Sequence, residues 1–177
     1  MCLADLRSLV TDHQACTPQE VTSLQDYHAQ HSHVQDTVVP LINGGATVQK
    51  AKVKGLAKIG YLKTFFGNIG HAYCRTLFGQ DRFRVAQVLE VLRNPNYNMH
   101  PDIGSMGHTV NQYKYKFALP ASDPKVTIVD SQNDVLIADG NKTAIAAYMY
   151  ALETADSAFE LTVYYISVPN QVVNWPI

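Results

Sequence analysis

The chain has 177 residues, 46% of them hydrophobic, and a formal net charge of -1. This suits one compact domain with a sizeable core and excludes collagen-like or disordered composition. No apolar run approaches the ~18 residues of a membrane span, and MCLADLRSLV lacks the basic-then-apolar pattern of a secretory signal.

Cys2, Cys16 and Cys74 are scattered. They make neither a disulfide framework nor a paired metal motif, so a reducing, cytoplasmic setting is expected. The near-zero net charge hides an asymmetry. Residues 50–93 carry +7, between segments of -4 on either side. Such a block implies an anionic ligand or an internal electrostatic partner.

Thr17-Pro18-Gln19-Glu20 has the T-x-x-E capping-box pattern with Pro at the first helical position, and predicts a helix from Pro18 to about His33. His28 and His31 share a face at i,i+3 in its tail, which also holds His33. They either bind a metal or sit at a solvated helix end where they suit the dipole. Val34–Ile42 reads as extended and Asn43-Gly44-Gly45 as a turn. A helix over Val48–Phe66 follows from the stripe Leu56, Ile59, Leu62 and Phe66, with Lys50, Lys54 and Lys58 on another face. Residues 72–78 suggest a short helix. Asp81 is a candidate cap for a helix reaching Arg93, where Val85, Val88, Leu89 and Leu92 fall at i, i+3, i+4 and i+7.

Residues 94–112 read as a long loop, with Pro101, Gly104 and Gly107. Beyond it the chain reads as α/β: strands at Tyr113–Leu119, Lys125–Val129 and Val135–Ala138, a helix from Gly140 to Leu152, and a strand at Phe159–Val168. A mainly helical half, residues 1–93, thus precedes an α/β half in a single domain.

The stretch VTIVDSQNDVLIADGNKTAIAAYMYA places an Asp-Gly turn between a hairpin and an alanine-containing helix. It resembles the core of the ParB/sulfiredoxin superfamily over roughly residues 113–168. Gly140 takes the motif glycine, Asn141 and Lys142 follow it, and Thr143 stands where an Arg is usual. Ala146 falls on a common alanine position. The turn has no Cys, so sulfinic-acid reductase chemistry is not expected. The resemblance implies a mixed sheet with a Gly turn and helix, preceded here by extra N-terminal helices. It also implies a small DNA-acting protein with ParB-like nuclease or nucleotide triphosphatase activity. ATP or CTP with Mg²⁺ would be the cofactor. Inhibition of plasmid transfer, with a protein partner in a DNA-transfer apparatus, is one role found among such proteins. A non-catalytic interaction or inhibitor protein, or a toxin domain, on the same scaffold are the alternatives.

The residues themselves offer chemistry at that turn. A Gly at a strand-to-helix junction exposes backbone N–H groups with partial positive charge, a ready anion site. Gly140, Asn141, Lys142 and Thr143 are the candidate nucleotide-binding set, and Asp139 and Lys142 the candidate catalytic pair. G-N-K-T echoes the end of a P-loop but lacks its upstream glycine. The bland alternative is a common Asp-Gly turn with Asp139 capping the helix and Lys142 in solvent.

Lys50, Lys54, Lys58, Lys63, Arg82 and Arg84 are candidate DNA contacts, with Tyr61, Phe65 and Phe66 either stacking on bases or lying in the core. Acidic flanks that neutralise these lysines are the competing reading. His71 and Arg75 at i,i+4, Cys74 beside His71, and His100 and His108 in the long loop complete the chemical candidates.

Overall fold

The computed structural model describes residues 3–65, 82–96, 100–119 and 126–175, with the backbone alone at 32, 33, 82 and 102. Its elements in chain order are α1 (Leu3–Arg7), β1 (Val10–Ala15), α2 (Pro18–Ala29), α3 (Ser32–Asn43), β2 (Thr47–Lys54), α4 (Leu56–Tyr61) and β3 (Lys63–Phe65). Then come β4 (Arg82–Arg84), α5 (Val85–Arg93), α6 (Pro101–Lys114), a 3-10 turn (Tyr115–Ala118), β5 (Thr127–Ser131), β6 (Val135–Asp139), α7 (Asn141–Glu153) and β7 (Glu160–Val168).

The protein is α/β. The seven described strands form one mixed sheet in the order β1-β2-β7-β5-β6-β3-β4. β5 runs parallel to β7 and β3 parallel to β6, while the other neighbours are antiparallel. Each face of the sheet carries a core. The first gathers Ile128, Ile137 and Val163 with side chains from α1, α4, α5, α6 and α7. The second gathers Val129, Leu136 and Ile166 with α2, α3 and the C-terminal residues Val173 and Trp175. All five residues of β5 and all five of β6 are buried, as the central strands of a sheet covered on both sides must be.

Several elements form as the sequence suggests. Thr17 and Glu20 close the capping box of α2, with Pro18 at its start. β6, α7 and β7 also lie where their patterns put them, whereas α2 ends at Ala29 rather than near His33 and α5 opens at Val85, after strand β4, rather than near Asp81. Four segments differ.

Residues 34–42 are helical in α3 rather than extended. Val34, Val38, Leu41 and Ile42 are buried at helical spacing, and that face outweighs the β-branched composition. Lys50 and Lys54 lie on strand β2, not on a helix with Lys58. Ala51 and Val53 are buried in alternation with Lys50, Lys52 and Lys54, the period of a strand. Residues 101–114 are a helix, not a loop. Pro101 opens it, where no backbone N–H is needed, and Ile103, Met106 and Val110 bury one side. Tyr113–Leu119 continues that helix into a 3-10 turn instead of a strand. Its alternation is only in sequence: Phe117 packs on Tyr150 and Phe159, while Tyr115 and Leu119 face solvent. Residues 1–93 therefore supply four of the sheet's strands as well as helices.

Candidate functional site

The Asp-Gly turn ends β6 and opens α7. Gly140 has φ 81° and ψ 23°, a left-handed conformation in which a Cβ is costly. It offers no side chain to cap the helix. The first intrahelical bond runs from the Ala144 N–H to the Gly140 carbonyl. The amides of Asn141, Lys142 and Thr143 thus form the N-terminal turn of a 13-residue helix without a side-chain cap.

Asp139 is directed by a β-bulge. In the β5–β6 pairing Thr127 faces Asp139 but Ile128 faces Ile137, so Ala138 is the extra residue. The bulge turns Asp139 to the face shared by Thr127 and α2. There Asp139 Oδ2 lies 3.7 Å from His28 Nδ1, and His28 Nε2 shares a 3.0 Å hydrogen bond with Thr127 Oγ1. Asp139 Oδ1 accepts the Gly140 N–H at 2.8 Å. Burial, and then the charge and hydrogen bond of Asp139, push the Tyr27 phenol up to about 12. Asp139 is only 8% exposed and His28 is fully buried. The carboxylate expected to hold a metal or orient a water is instead engaged beneath the turn.

Asn141 is also engaged. Its Oδ1 accepts the Phe65 N–H and its Nδ2 donates to the Phe65 carbonyl, both at 3.1 Å. Its side chain fastens α7 to the end of β3 and is not available to a nucleotide. Thr143 is nearly buried, whereas Lys142 is half-exposed. Of the predicted phosphate set, the turn amides and the Lys142 ammonium remain suited to an anion. Mg²⁺ demands several oxygen ligands. Asp139 does not fit that role, and no cluster of three or more His, Cys, Asp or Glu forms among the described residues.

The structure separates the predicted DNA contacts. Lys50 pairs with Glu20, Lys54 with Asp12 and Glu160, and Lys63 with Asp134. The acids come from α2, β1, β7 and the β5–β6 turn, so folding supplies the partners that the primary structure keeps apart. Lys58 and Arg84 are exposed. Arg84 stacks on Tyr61, 4.8 Å from the ring centroid, and Tyr61 is itself 40% exposed. Phe65 is half-buried against Trp175. The Arg82 side chain and Phe66 lie outside the described residues.

The other candidates disperse. His28 belongs to the buried Asp139 cluster, while His31 packs on the Tyr27 ring and bonds the Tyr27 carbonyl through Nδ1. Both rings pack on Tyr27, but His28 bonds Thr127 and faces Asp139 while His31 bonds the Tyr27 carbonyl, and among the described residues they join no metal-type cluster. His100 lies just before α6 and His108 upon it, with His108 bonded to Gln112. The His33 side chain, His71, Cys74, Arg75, Asp81 and the helix expected at 72–78 lie outside the described residues.

Two polar clusters were not foreseen. One is Tyr27–His28–Thr127–Asp139, for which the available signal was the i,i+4 spacing of His28 from the buried Leu24. The other joins Arg7 and Tyr165 to the two oxygens of Asp130, each at 2.8 Å. Burial, reinforced by that hydrogen bond, pushes the Tyr165 phenol up. Nothing in the spacing of Arg7 and Asp130 marks their contact.

Among the described residues, no helix is long and apolar enough to cross a membrane. No protein-family model, curated protein or solved structure matches this chain.

Proposed function

We propose that this chain binds phosphate groups, of a nucleotide or of nucleic acid, at the turn formed by Gly140, Asn141, Lys142 and Thr143. The carrying observation is the junction of β6 and α7: a left-handed glycine, a helix without a side-chain cap, and Lys142 as the one charge in its first turn. Backbone amides and an ammonium there supply donors to an anion, while Asp139 is turned away towards Tyr27 and His28.

The ParB/sulfiredoxin resemblance extends this to a small DNA-acting protein with nuclease or nucleotide triphosphatase activity, on DNA and on ATP or CTP. Plasmid-transfer inhibition is a role consistent with it. Mg²⁺ would come on the triphosphate, as is usual for that ion, rather than from Asp139. Lys58 and Arg84, with the stacked Tyr61, are the part of the basic segment best disposed to meet unpaired bases and phosphates.

A non-catalytic interaction protein is the second reading. It is favoured by the inward carboxylate of Asp139 and by the ion pairs that occupy Lys50, Lys54 and Lys63.

The test measures pyrophosphate, ATP and CTP binding calorimetrically, with turnover and DNA cleavage assayed with and without Mg²⁺. The phosphate reading expects binding that Lys142→Ala weakens. Binding unchanged in Lys142→Ala overturns the site, and absence of wild-type binding overturns the reading. Phosphate binding without turnover or cleavage selects the non-catalytic protein. Single-stranded DNA binding should fall in Lys58→Ala/Arg84→Ala and not in Lys50→Ala, with the salt dependence of phosphate neutralisation.

A further inference from the structure

Lysine alternates with aromatic residues at Tyr113-Lys114-Tyr115-Lys116-Phe117. α6 ends at Lys114, and the 3-10 turn that follows buries none of its residues. Phe117 leans on the rings of Tyr150 and Phe159, while Tyr115 and Lys116 are exposed. Tyr115 at 68% and Leu119 at 64% are the most exposed large hydrophobic side chains among the described residues.

A single exposed apolar residue is ordinary on a protein surface. Here cations stand around the rings. Lys114 Nζ lies 5.5 Å from the Tyr115 ring centroid, and Lys116 Nζ 4.0 Å from that of Tyr113. Lys114 also reaches Glu153 at 2.7 Å, and Arg93, at the end of α5, meets the same carboxylate at 3.4 Å. Three cations thus gather near one carboxylate beside the last turn of α7. An exposed ring with ammonium groups at its side suits a base for stacking and a phosphate for charge. Unpaired nucleotides offer both, whereas a duplex hides the faces of its bases. A lipid surface would call for a long apolar helix face to bury. The outward residues of α6 just before the turn, His108, Asn111 and Gln112, are polar.

We infer that Tyr115, flanked by Lys114 and Lys116, is a stacking site for single-stranded nucleic acid. It extends the nucleic-acid half of the proposed function and does not rest on the phosphate reading of the Gly140 turn. That turn opens α7, a 13-residue helix about 20 Å long, and Tyr115 stands beside the other end.

The probe is a fluorescent oligo-dT strand, titrated with the full chain and read by anisotropy, with a dA–dT duplex as the paired control. Tyr115→Ala should weaken single-strand binding ~10-fold, as for the loss of one stacked base, and Tyr115→Phe should retain it. Lys116→Ala should weaken it and lower the salt slope by about one. The Tyr115 ring protons should move upfield as a base covers the ring, a response that a merely structural side chain would not give. Wild-type affinity in Tyr115→Ala, with binding lost in Lys58→Ala/Arg84→Ala, overturns this site and leaves the Lys58–Arg84 contact standing. Loss in Tyr115→Ala but not in that double variant keeps this site and removes the other. Equal affinity for duplex and single strand overturns the stacking role. A wild type that binds phosphatidylglycerol vesicles and not oligo-dT, or neither, overturns both nucleic-acid contacts, while pyrophosphate binding still decides the Gly140 turn. Tyr115 is exposed, so its variants should keep the circular dichroism of the wild type.

Discussion

Individual side chains here do work that their sequence neighbours do not announce. Glu20 serves α2 twice over. It accepts the Thr17 backbone N–H and hydroxyl, and it pairs with Lys50 on β2. Lys50 first, then the Thr17 N–H and hydroxyl, lower its carboxyl from 4.5 to about 2. A depressed folded-state value stabilises above the ordinary carboxyl range and loses that contribution as pH falls. The expected outcome is that Glu20 titrates near pH 2 by NMR, and that Lys50→Ala moves its midpoint back up. In urea unfolding, the difference between wild type and Glu20→Gln should be full above pH 4.5 and vanish towards pH 2. A wild-type midpoint near 4.5 would remove Lys50 as the cause. Asp139 teaches a related lesson. Its place after an apolar strand was evident, but one extra residue, Ala138, decides which face it serves.

Among the elements, those with a long-range partner written into their periodicity were readable. α5 and α7 declare themselves by apolar spacing, α2 by its cap, and β6 and β7 by continuous apolar runs. The misread segments share a cause: local composition pointed one way and the buried face another. Val38 and Val39 suggest a strand, yet α3 buries Val34, Val38, Leu41 and Ile42 against the sheet. Gly104 and Gly107 suggest a loop, yet Ile103, Met106 and Val110 make α6 worth forming. Among the described residues, the side-chain clamp between α7 and β3 is Asn141, whose two bonds meet both backbone polar groups of Phe65. Asn141→Ala is expected to cost about 1–3 kcal/mol in urea unfolding and to speed hydrogen exchange at the Phe65 amide. Unchanged exchange at Phe65 would mean the clamp does not hold β3.

At the scale of the whole molecule, the sheet sorts both charge and core. The basic stretch of β2 lies between β1 and β7, which bring Asp12 and Glu160 to Lys54, while α2 brings Glu20 to Lys50. Among the described residues of the +7 segment, Lys50, Lys52, Lys54, Lys63 and Arg93 thus stand in ion pairs. The second core is closed by the tail. Asn133 accepts the Val173 N–H and donates to its carbonyl, and Trp175 lies over Phe65. Deleting residues 171–177 is expected to cost at least the ~3–5 kcal/mol of removing a buried aromatic, read by circular dichroism in urea. An unchanged midpoint would show that the tail does not close that core. The sequence by itself determined the α/β class, the helices with strong caps or apolar stripes, and the Asp139-Gly140 turn, because these follow from local sterics and short-range periodicity. Only the tertiary structure decided that Lys50 pairs with Glu20, that Asp139 faces His28, and that Trp175 packs on Phe65. Each of those joins residues tens to more than a hundred positions apart, and such contacts are selected by sheet register and shared burial.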